Sequence, residues 1–408
     1  MSEDKRKGIN KEIESLIKEI DRETFLYVNY PFCSGSCRFC IYKIGRYTKA
    51  KSESYLKCYK KEIKLYEKLL PNFKFKNIHI GGGTPNLVSP ELLLTPLKKL
   101  VDFKKTRHSV IEIFPKPDLE GYLKKLKKYN ISKVQLGIQT LSQDILKSEK
   151  RFTPLKIILS SLKTLSESGL VWSVDLAYGF KDEKRFKRDY IAELKEVLEY
   201  RPAGFHLYLM RSEDRNLYYK GKRRKEVDFG VNISGVEKIL SENGYKIIGD
   251  EWCRGKNISY AQKTICYDSK AEFLSPSILG IGLGAVSFHR FMRYVNLKDL
   301  GDYKKCLGRR FFPVVGFDNF KKNNFYPVVN LCRIIRINSR FDLKGFLSSK
   351  LVSKRKKEGI KTFINYLKEN KLEFKIKKGE MIINQPDQYG NFLYLVNEYI
   401  KQERQAIN

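Results

Sequence analysis

The chain alternates short runs of β-branched and aromatic residues with longer amphipathic stretches, and this alternation restricts the fold more than any other feature. The strand candidates are Phe25–Tyr30, Asn77–Ile80, Ser109–Phe114, Lys133–Ile138, Trp172–Leu176 and Phe205–Leu209. The helical patterns between them are Glu53–Leu70, Pro90–Phe103, Leu119–Tyr129, Leu155–Ser168 and Lys184–Tyr200. Repeated strand–helix units joined by short turns predict an α/β fold with a parallel sheet. Six such units predict a partial (β/α)6 barrel whose ligand site lies at the carboxyl ends of its strands.

The rest of the chain divides into further predicted regions around this barrel. Residues 1–24 are charged and amphipathic and predict an N-terminal helical extension, with the barrel over 25–210. Residues 211–316 break the alternation and are expected to be irregular, forming an extension that closes the site at the strand ends. Residues 317–408 carry helical runs and a short hairpin pattern, which predict a small, mostly helical C-terminal accessory domain.

Three cysteines with CxxxCxxC spacing, Cys33, Cys37 and Cys40, follow the first predicted strand directly. Three thiolates on one loop hold three irons of a [4Fe–4S] cluster and leave the fourth iron open to a small molecule. Half of a zinc site and buried thiols are the alternatives. A structural zinc site needs four ligands, usually from two close pairs. The other five cysteines are scattered and the chain has only four histidines, so the spacing favours the cluster.

The composition is strongly basic, with 80 Lys and Arg against 46 Asp and Glu and a formal net charge of +34. Such a balance is typical of proteins with a nucleic-acid, membrane-surface or anionic partner. The lysines are nevertheless spread along the chain, and the densest runs, 220–225 and 354–357, lack interleaved aromatic residues. Solvated helix faces account best for this charge, and a nucleic-acid partner is not favoured.

No apolar segment of the sequence has the length of a membrane span or the pattern of a signal peptide. Together with cysteines that show no sign of disulfide pairing, this predicts a cytoplasmic protein without a membrane span.

A second motif ends the second predicted strand: Ile80 is followed by Gly81-Gly82-Gly83-Thr84-Pro85. Glycines at a strand end allow backbone amides and carbonyls to approach a ligand closely. An ordinary tight turn is the alternative, but three consecutive glycines after an apolar strand are more specific than a single pair.

Taken together and in order, these motifs resemble the oxygen-independent coproporphyrinogen III oxidase family of the radical S-adenosylmethionine (SAM) superfamily. That group also includes heme chaperones and related methyltransferases and cyclopropanases. The likeness begins at Tyr27 and Pro31-Phe32 and continues through the cysteines and the glycine run. Its later segments are Val110–Pro115, Val134–Leu141, Lys150-Arg151, Val174–Phe180 and Gly280–Ser287. The resemblance covers roughly residues 25–310.

The resemblance implies a radical SAM barrel with a [4Fe–4S] cluster on Cys33, Cys37 and Cys40, and one or two SAM molecules. Ten residues match positions that contact the cofactors in the family: Tyr27, Phe39, Gly82, Gly83, Thr84, Glu112, Gln139, Arg151, Asp175 and Ala285. The carboxylates of Glu112 and Asp175 suit ribose hydroxyls or the SAM amino group, and Arg151 balances the SAM carboxylate. Thr84 and Ala285 are candidates for a second SAM or substrate pocket.

Several positions depart from the family pattern. Asn29 and Val286 replace histidines, no fourth cysteine follows Cys40, and Asn257 and Tyr260 stand without the heme-chaperone histidine and tryptophan. These departures point to a divergent member of the methyl-transfer or cyclopropanation type. An anaerobic coproporphyrinogen- or heme-modifying enzyme and a non-catalytic heme-trafficking protein remain the alternatives.

The resemblance further implies reductive cleavage of SAM to a 5′-deoxyadenosyl radical, which abstracts hydrogen from an organic substrate or from the methyl group of a second SAM. Such an enzyme needs a one-electron reductant such as flavodoxin or ferredoxin. The basic charge favours an anionic substrate, either a small molecule or a carrier-bound group. Modification of tRNA is suggested by charge alone.

Overall fold

The fold is seen in a computed structural model of the chain. The residues it describes are 3–18, 20, 24–40, 45–180, 182–209, 233–248, 251–258, 278–289, 292–319, 340–348, 354–383, 395–396 and 398–399. The basic run 220–225, Lys181, Tyr260, Cys266 and Cys332 lie outside these ranges.

Helices and strands alternate along most of the described chain. The helices are α1 (Glu3–Ile17), α2 (Lys49–Leu69), α3 (Pro90–Leu97), α4 (Leu119–Lys127), α5 (Gln143–Ser148), α6 (Leu155–Glu167), α7 (Tyr190–Glu199), α8 (Ile233–Glu242), α9 (Leu300–Gly308), α10 (Leu343–Ser348) and α11 (Lys354–Glu369). The strands are β1 (Phe25–Tyr30), β2 (Phe32–Cys33), β3 (Gly45–Arg46), β4 (Asn77–Gly82), β5 (His108–Ile113), β6 (Lys133–Gln139), β7 (Val171–Tyr178), β8 (Gly204–Leu209), β9 (Lys246–Ile248), β10 (Glu251–Cys253), β11 (Ile278–Ile281), β12 (Val286–His289), β13 (Met292–Asn296), β14 (Val314–Asn319), β15 (Arg340–Asp342), β16 (Lys375–Lys377) and β17 (Glu380–Ile382).

The central sheet contains the predicted barrel. Its strands β1, β4, β5, β6, β7 and β8 lie side by side in that order, and every neighbouring pair is parallel. This arrangement confirms the α/β prediction and the partial (β/α)6 barrel. The sheet continues past β1 through parallel β11 and then antiparallel β12, β13 and β14. Past β8 it continues through antiparallel β10 and β9, which gives twelve strands in all.

Alternate residues of the parallel strands point to opposite faces of the sheet. One set, which includes Leu26, Ile78 and Val134, is fully buried in the apolar core. The other set lies in register across the strands: Tyr27 is opposite His79, and Glu112 is opposite Gln135. Because this second face lines the interior of the barrel, it presents polar side chains toward the carboxyl ends of the strands.

Two predicted helices are shorter than their sequence patterns. The helix predicted over Pro90–Phe103 ends at Leu97, because Val101 forms a parallel bridge with Phe75 and draws the chain out of the helix. The helix predicted over Lys184–Tyr200 begins only at Tyr190, where the carboxylate of Asp189 accepts a hydrogen bond from the Ala192 amide at 2.9 Å. The bridge to Phe75 is a tertiary contact that local periodicity does not show, whereas Asp189 is a local N-cap residue at which the helix begins.

The prediction that residues 211–316 are irregular is wrong for the part of that segment that the structure describes. It contains α8, α9 and the six strands from β9 to β14. These strands are short and pair mainly with one another and with the two sides of the barrel. A strand of three or four residues carries too few alternating positions to be recognised from sequence.

The C-terminal region has its own hydrophobic core around Phe341, Ile360, Phe363, Leu367 and Met381. It consists of α10, α11 and a three-stranded sheet in the order β15-β17-β16. Strand β14 reaches Asn319 in the large sheet, two residues beyond the expected start of this region at 317. Within the described residues, no helix is long and apolar enough to cross a membrane.

Candidate functional site

The cysteine loop lies at the carboxyl end of β1, on the edge where the sequence places it. Cys33 ends β2, which pairs with β3, and the Tyr47 amide donates a hydrogen bond to the Cys33 carbonyl at 2.8 Å. The amide of Cys40 donates to the carbonyl of Cys37 at 3.3 Å, and none of the three cysteines forms a disulfide; all three are partly exposed. The Arg38 amide also donates to the carbonyl of Glu149 at 2.9 Å, which ties the loop to the end of α5.

The three thiols share one electrostatic environment. Burial raises the pKa of Cys33, the Thr84 hydroxyl lowers it, and the nearby Cys40 and Cys37 thiols raise it again. Thr84 Oγ1 lies 3.4 Å from Cys33 Sγ, and an Arg151 guanidinium nitrogen lies 3.9 Å from Cys37 Sγ. A buried cation and a hydroxyl donor therefore face sulfurs that would become negative on binding iron.

The glycine run forms a cradle against the same loop. The Gly83 amide donates to the Tyr30 carbonyl at 2.7 Å, and the Thr84 amide donates to the Phe32 carbonyl at 2.8 Å. Gly82 has φ = 104°, and a Cβ atom there would collide with the side chain of Asn29. A Cβ atom on Gly83 would lie 2.5 Å from the Phe32 carbonyl oxygen. Only glycine allows these two backbone segments to approach so closely.

Glu112 stands beside this cradle at the end of β5. Its Oε1 lies 2.7 Å from Nε2 of His79, and its Oε2 accepts a hydrogen bond from the Gly82 amide at 3.3 Å. The ring of Tyr27 lies 5.7 Å from that of His79, and the Tyr27 hydroxyl donates to Asn29 Oδ1 at 3.5 Å. The structure thus brings Tyr27, Gly82 and Glu112 into one group.

Gln139, Arg151 and Asp175 meet one strand further along. Gln139 has φ = 73°, an uncommon backbone conformation for a residue with a side chain, at a bulge between β6 and β7. A Cβ atom on Gly137 would lie 3.2 Å from the side-chain nitrogen of Gln139 and 3.6 Å from Asp175 Oδ2. Both side chains therefore face Gly137. Arg151 is buried, donates to the Gly137 carbonyl, and lies over the Phe114 ring at 4.2 Å.

The remaining predicted residues lie at the two sides of this edge. The Phe39 ring packs on Phe180 with the ring centroids 5.7 Å apart, which docks the cysteine loop on the end of β7. Ala285 is buried in the loop after β11, where its amide donates to the Gly282 carbonyl at 3.1 Å. Asn29 donates to the Leu283 carbonyl of that loop at 2.6 Å, so the loop borders β1.

Several polar residues on the interior face of the barrel were not expected from the sequence. Three of the four histidines, His79, His108 and His206, lie on the interior face of the barrel, as do Lys133 and Glu251. Their position in the strands would have identified them. Each lies an even number of residues along its own strand from another interior residue, or directly opposite an interior residue of the neighbouring strand. Single-strand patterns do not show which strands become neighbours.

The residues at this edge fit a [4Fe–4S] cluster and a SAM molecule. Three cysteines on one loop, none of them in a disulfide, are the expected cluster donors, and glycine at 82 and 83 lets the backbone pack directly against the residues that precede this loop. Buried Arg151 Nε has no hydrogen-bond partner, which leaves a donor for a carboxylate.

A buried carboxylate supports the loop that carries Ala285. Glu62 of α2 accepts hydrogen bonds from the Gly282 amide at 2.8 Å, from the Asn296 amide at 2.7 Å and from the Tyr303 hydroxyl. Burial raises the Glu62 pKa to about 7, although these three donors lower it.

Glu62 is expected to make folding stability depend on pH. A carboxyl whose pKa is raised in the folded state keeps its proton there while the unfolded chain loses it, so stability falls as pH rises from about 4.5 to about 7. A shift of this size corresponds to about 3 kcal/mol. Glu62→Gln cannot titrate, so urea unfolding at pH 5 and pH 8 should show a loss in the wild type that is about 3 kcal/mol larger than in the variant. Parallel pH profiles for the two proteins would contradict this role.

Comparison with known proteins agrees with this geometry. The profile of the Radical SAM superfamily matches residues 27–194. The oxygen-independent coproporphyrinogen III oxidase of Cereibacter sphaeroides is 26% identical over 283 residues, which cover 64% of this chain and 61% of the oxidase. The chain therefore spans about three fifths of that relative's length. The heme chaperone HemW of Buchnera aphidicola is 22% identical over 376 residues, which cover 88% of this chain and 96% of HemW.

The fold is similar to that of the coproporphyrinogen III oxidase HemN from Escherichia coli. The two structures superpose with a TM-score of 0.72 at 16% sequence identity, over 95% of this chain and 92% of HemN. The cysteine loop and the glycine run lie within the residues that the profile matches. The chain thus carries a radical SAM domain in a HemN-like fold, with homologues among the coproporphyrinogen III oxidases and the HemW heme chaperones.

Proposed function

We propose that this protein is an enzyme that cleaves SAM reductively and uses the resulting radical to abstract hydrogen from an organic substrate or from the methyl group of a second SAM. The observation that carries the proposal is that the three cysteines, the glycine cradle and the buried Arg151 meet at one edge of the sheet. When bound there, the cluster and SAM supply the one-electron cleavage, and the protein supplies binding, orientation and shielding from water.

Each residue group at this edge has a proposed part. Cys33, Cys37 and Cys40 hold the cluster. The backbone of Gly82 and Gly83 and the carboxylate of Glu112 bind the amino-acid end of SAM, since Glu112 already accepts a hydrogen bond from the Gly82 amide. Arg151 pairs with the SAM carboxylate.

The other proposed contacts lie further from the cysteine loop. Asp175 and Gln139 bind the ribose, because both face the same space over Gly137. Tyr27 and Phe39 complete the walls of the SAM site. Thr84 and Ala285 lie on the two sides of the β1 strand end and are proposed to border a second SAM or the substrate.

The substrate is proposed to be anionic, either a small molecule or a carrier-bound group. A net charge of +34 raises the local concentration of negatively charged molecules at the protein surface. The electron donor is proposed to be a one-electron carrier such as flavodoxin or ferredoxin, in the cytoplasm. The extension at 211–316 is proposed to close the active site, and residues 317–408 are proposed to form a small accessory domain.

A second candidate function is the handling of heme or another tetrapyrrole. It is favoured by the match to HemW, which extends over 96% of that chaperone. In this alternative the protein binds heme stably and turns SAM over poorly, or it acts on a porphyrinogen as the coproporphyrinogen III oxidases do. The propionate groups of such ligands also suit the basic charge of the chain.

The proposal is tested by anaerobic reconstitution of the cluster, reduction with dithionite, addition of SAM and mass spectrometry of the products. We expect 5′-deoxyadenosine and methionine, and S-adenosylhomocysteine as well if one SAM donates its methyl group. A well-formed cluster that yields no cleavage, together with saturable heme binding in a spectroscopic titration, would replace the proposal with the heme-trafficking alternative.

A further inference from the structure

A row of four buried charged side chains crosses the barrel interior beneath the proposed SAM site. Lys133 lies on β6, Asp175 on β7, His206 on β8 and Glu251 on β10. Asp175 is directly opposite His206 in the sheet, and His206 is directly opposite Glu251. The exposed fraction of these side chains is between 4% and 14%, so water screens them little.

The charges of this row alternate when the imidazole carries a proton. Lys133 Nζ lies 2.5 Å from Glu251 Oε2, and that same oxygen lies 3.7 Å from His206 Nε2. On the other side of the ring, His206 Nδ1 lies 3.4 Å from Asp175 Oδ1. Two cations and two anions of the row then balance, whereas a neutral imidazole leaves the row with one more anion than cations, which is unfavourable in the interior. The Arg151 cation and the Glu112 anion, which also interact with Asp175, have opposite signs and leave this difference unchanged.

The surroundings favour the protonated ring. Burial lowers the pKa of His206, but the carboxylates of Glu251 and Asp175 outweigh burial and raise it overall, with Lys133 opposing them. The Tyr208 ring stacks on the imidazole with a centroid distance of 6.2 Å. The Glu112 carboxylate, which lies on β5, raises the pKa of Asp175.

Asp175 faces His206 with one oxygen and the proposed SAM site with the other. Burial raises the pKa of Asp175, and His206 and Gln135 lower it. Its Oδ1 accepts a hydrogen bond from Gln135 at 2.8 Å and faces the ring, whereas its Oδ2 faces the space over Gly137 beside the Gln139 amide. The Nδ1 atom of His206 is buried and makes no hydrogen bond of good geometry, so the ring acts on Asp175 as a charge.

We propose that His206 is a positioning residue for the ribose of SAM, because a proton on this ring, held between Glu251 and Asp175, keeps the Asp175 carboxylate ionised and directed at the space over Gly137. An ionised carboxylate accepts hydrogen bonds from both hydroxyls of a cis-diol. A protonated carboxyl group has one oxygen that carries a proton and acts as a donor, so it cannot accept from both hydroxyls in this way. This inference rests on the proposed function, in which Asp175 contacts the ribose.

The test measures binding of two fragments of SAM to the cluster-loaded, unreduced protein by anaerobic equilibrium dialysis. 5′-Deoxyadenosine carries the ribose and has no group that titrates between pH 6 and 9, and L-methionine carries no ribose. His206→Gln should weaken 5′-deoxyadenosine binding about tenfold and leave methionine binding unchanged. A change of about tenfold is the usual size of the loss when a charged hydrogen-bonding group is no longer held in place. In the wild type, the Kd for 5′-deoxyadenosine should rise toward pH 9, and in the variant it should not.

His108→Gln is the matched control. His108 lies in the same barrel interior, but burial lowers its pKa to about 3, so it is uncharged over the whole pH range of the test. Its replacement should leave both dissociation constants unchanged. Thermal unfolding of each variant checks that the fold is retained.

Asp175→Asn separates positioning from a general structural effect. In that background, adding His206→Gln should weaken 5′-deoxyadenosine binding by less than about twofold, because the carboxylate on which the ring acts is already gone. Equal weakening of both fragments by His206→Gln, or a full additional loss in the Asp175→Asn background, would overturn the inference and leave the proposed function intact. A wild-type protein that binds neither fragment would overturn both.

Discussion

Replacing Cys37 by alanine is expected to abolish the cluster and with it all cleavage of SAM. Reconstituted wild-type protein should hold about four irons per chain, with three of them bound to Cys33, Cys37 and Cys40. Loss of a residue that only hydrogen-bonds to a metal ligand typically costs about 10- to 100-fold in metal affinity, so loss of a direct ligand should lower cleavage by more than about a hundredfold. Iron content, the visible spectrum of the cluster and the yield of 5′-deoxyadenosine measure the effect.

The structure indicates that this loss will be local. The Cys37 thiol is partly exposed and contacts the Arg151 guanidinium at 3.9 Å rather than the apolar core. Cys58→Ala is the matched control, because Cys58 is buried on α2, outside the cysteine loop. That variant should keep its iron and its activity, with a modest loss of stability from the removed buried atom. If Cys58→Ala lost iron as completely as Cys37→Ala, the assignment of the cluster to the loop would be wrong.

Gly83→Ala should produce the second large effect, because the added methyl group meets backbone. Its Cβ would lie 2.5 Å from the Phe32 carbonyl oxygen, 2.8 Å from the carbonyl carbon and 2.9 Å from the Phe32 nitrogen. No side-chain rotation relieves such a clash, so the cradle must move away from Cys33. We expect SAM affinity to fall by about a hundredfold or more and the unfolding free energy by about 1–3 kcal/mol, as for other overpacked sites.

Dialysis with labelled SAM and urea unfolding test this prediction, and iron content shows whether the cluster itself remains. Gly8→Ala serves as the control, since a Cβ on Gly8 in α1 would meet no atom within 4 Å. Alanine in the middle of a helix should raise stability by about 0.5–1 kcal/mol and leave SAM binding unchanged. Wild-type SAM affinity in Gly83→Ala would show that the glycine run is an ordinary turn.

Sequence patterns located the barrel strands closely. Strand β1 has the predicted bounds, Phe25–Tyr30, and β5 and β6 differ from their predicted bounds by a single residue at one or both ends. Such runs are recognisable because a parallel strand covered by helices is apolar over several consecutive residues. The strands β9 to β14 were missed: β9, β10, β11 and β12 have only three or four residues each, and β10 and β11 join the barrel through β8 and β1, which are distant in the chain.

The candidate site likewise has features that the sequence shows and contacts that only the structure shows. The cysteine spacing and the glycine run are local motifs, and both lie at the predicted edge because strand ends of a parallel sheet meet there. The contact of Arg151 with Cys37 and that of Glu112 with His79 join residues that are 114 and 33 positions apart. Register between neighbouring strands brings such side chains together, and register is a property of the assembled sheet.

The sequence by itself determined the kind of fold and the donors for a cluster, because hydrophobic periodicity and the spacing of reactive residues are written in consecutive positions. Only the tertiary structure decided which charges face one another inside the barrel. Lys133, Asp175, His206 and Glu251 come from four strands, and of the four only Asp175 lies in a motif that the sequence points to. Burial in a common interior of low polarity makes their charges interdependent, and that interior exists only after the strands have paired.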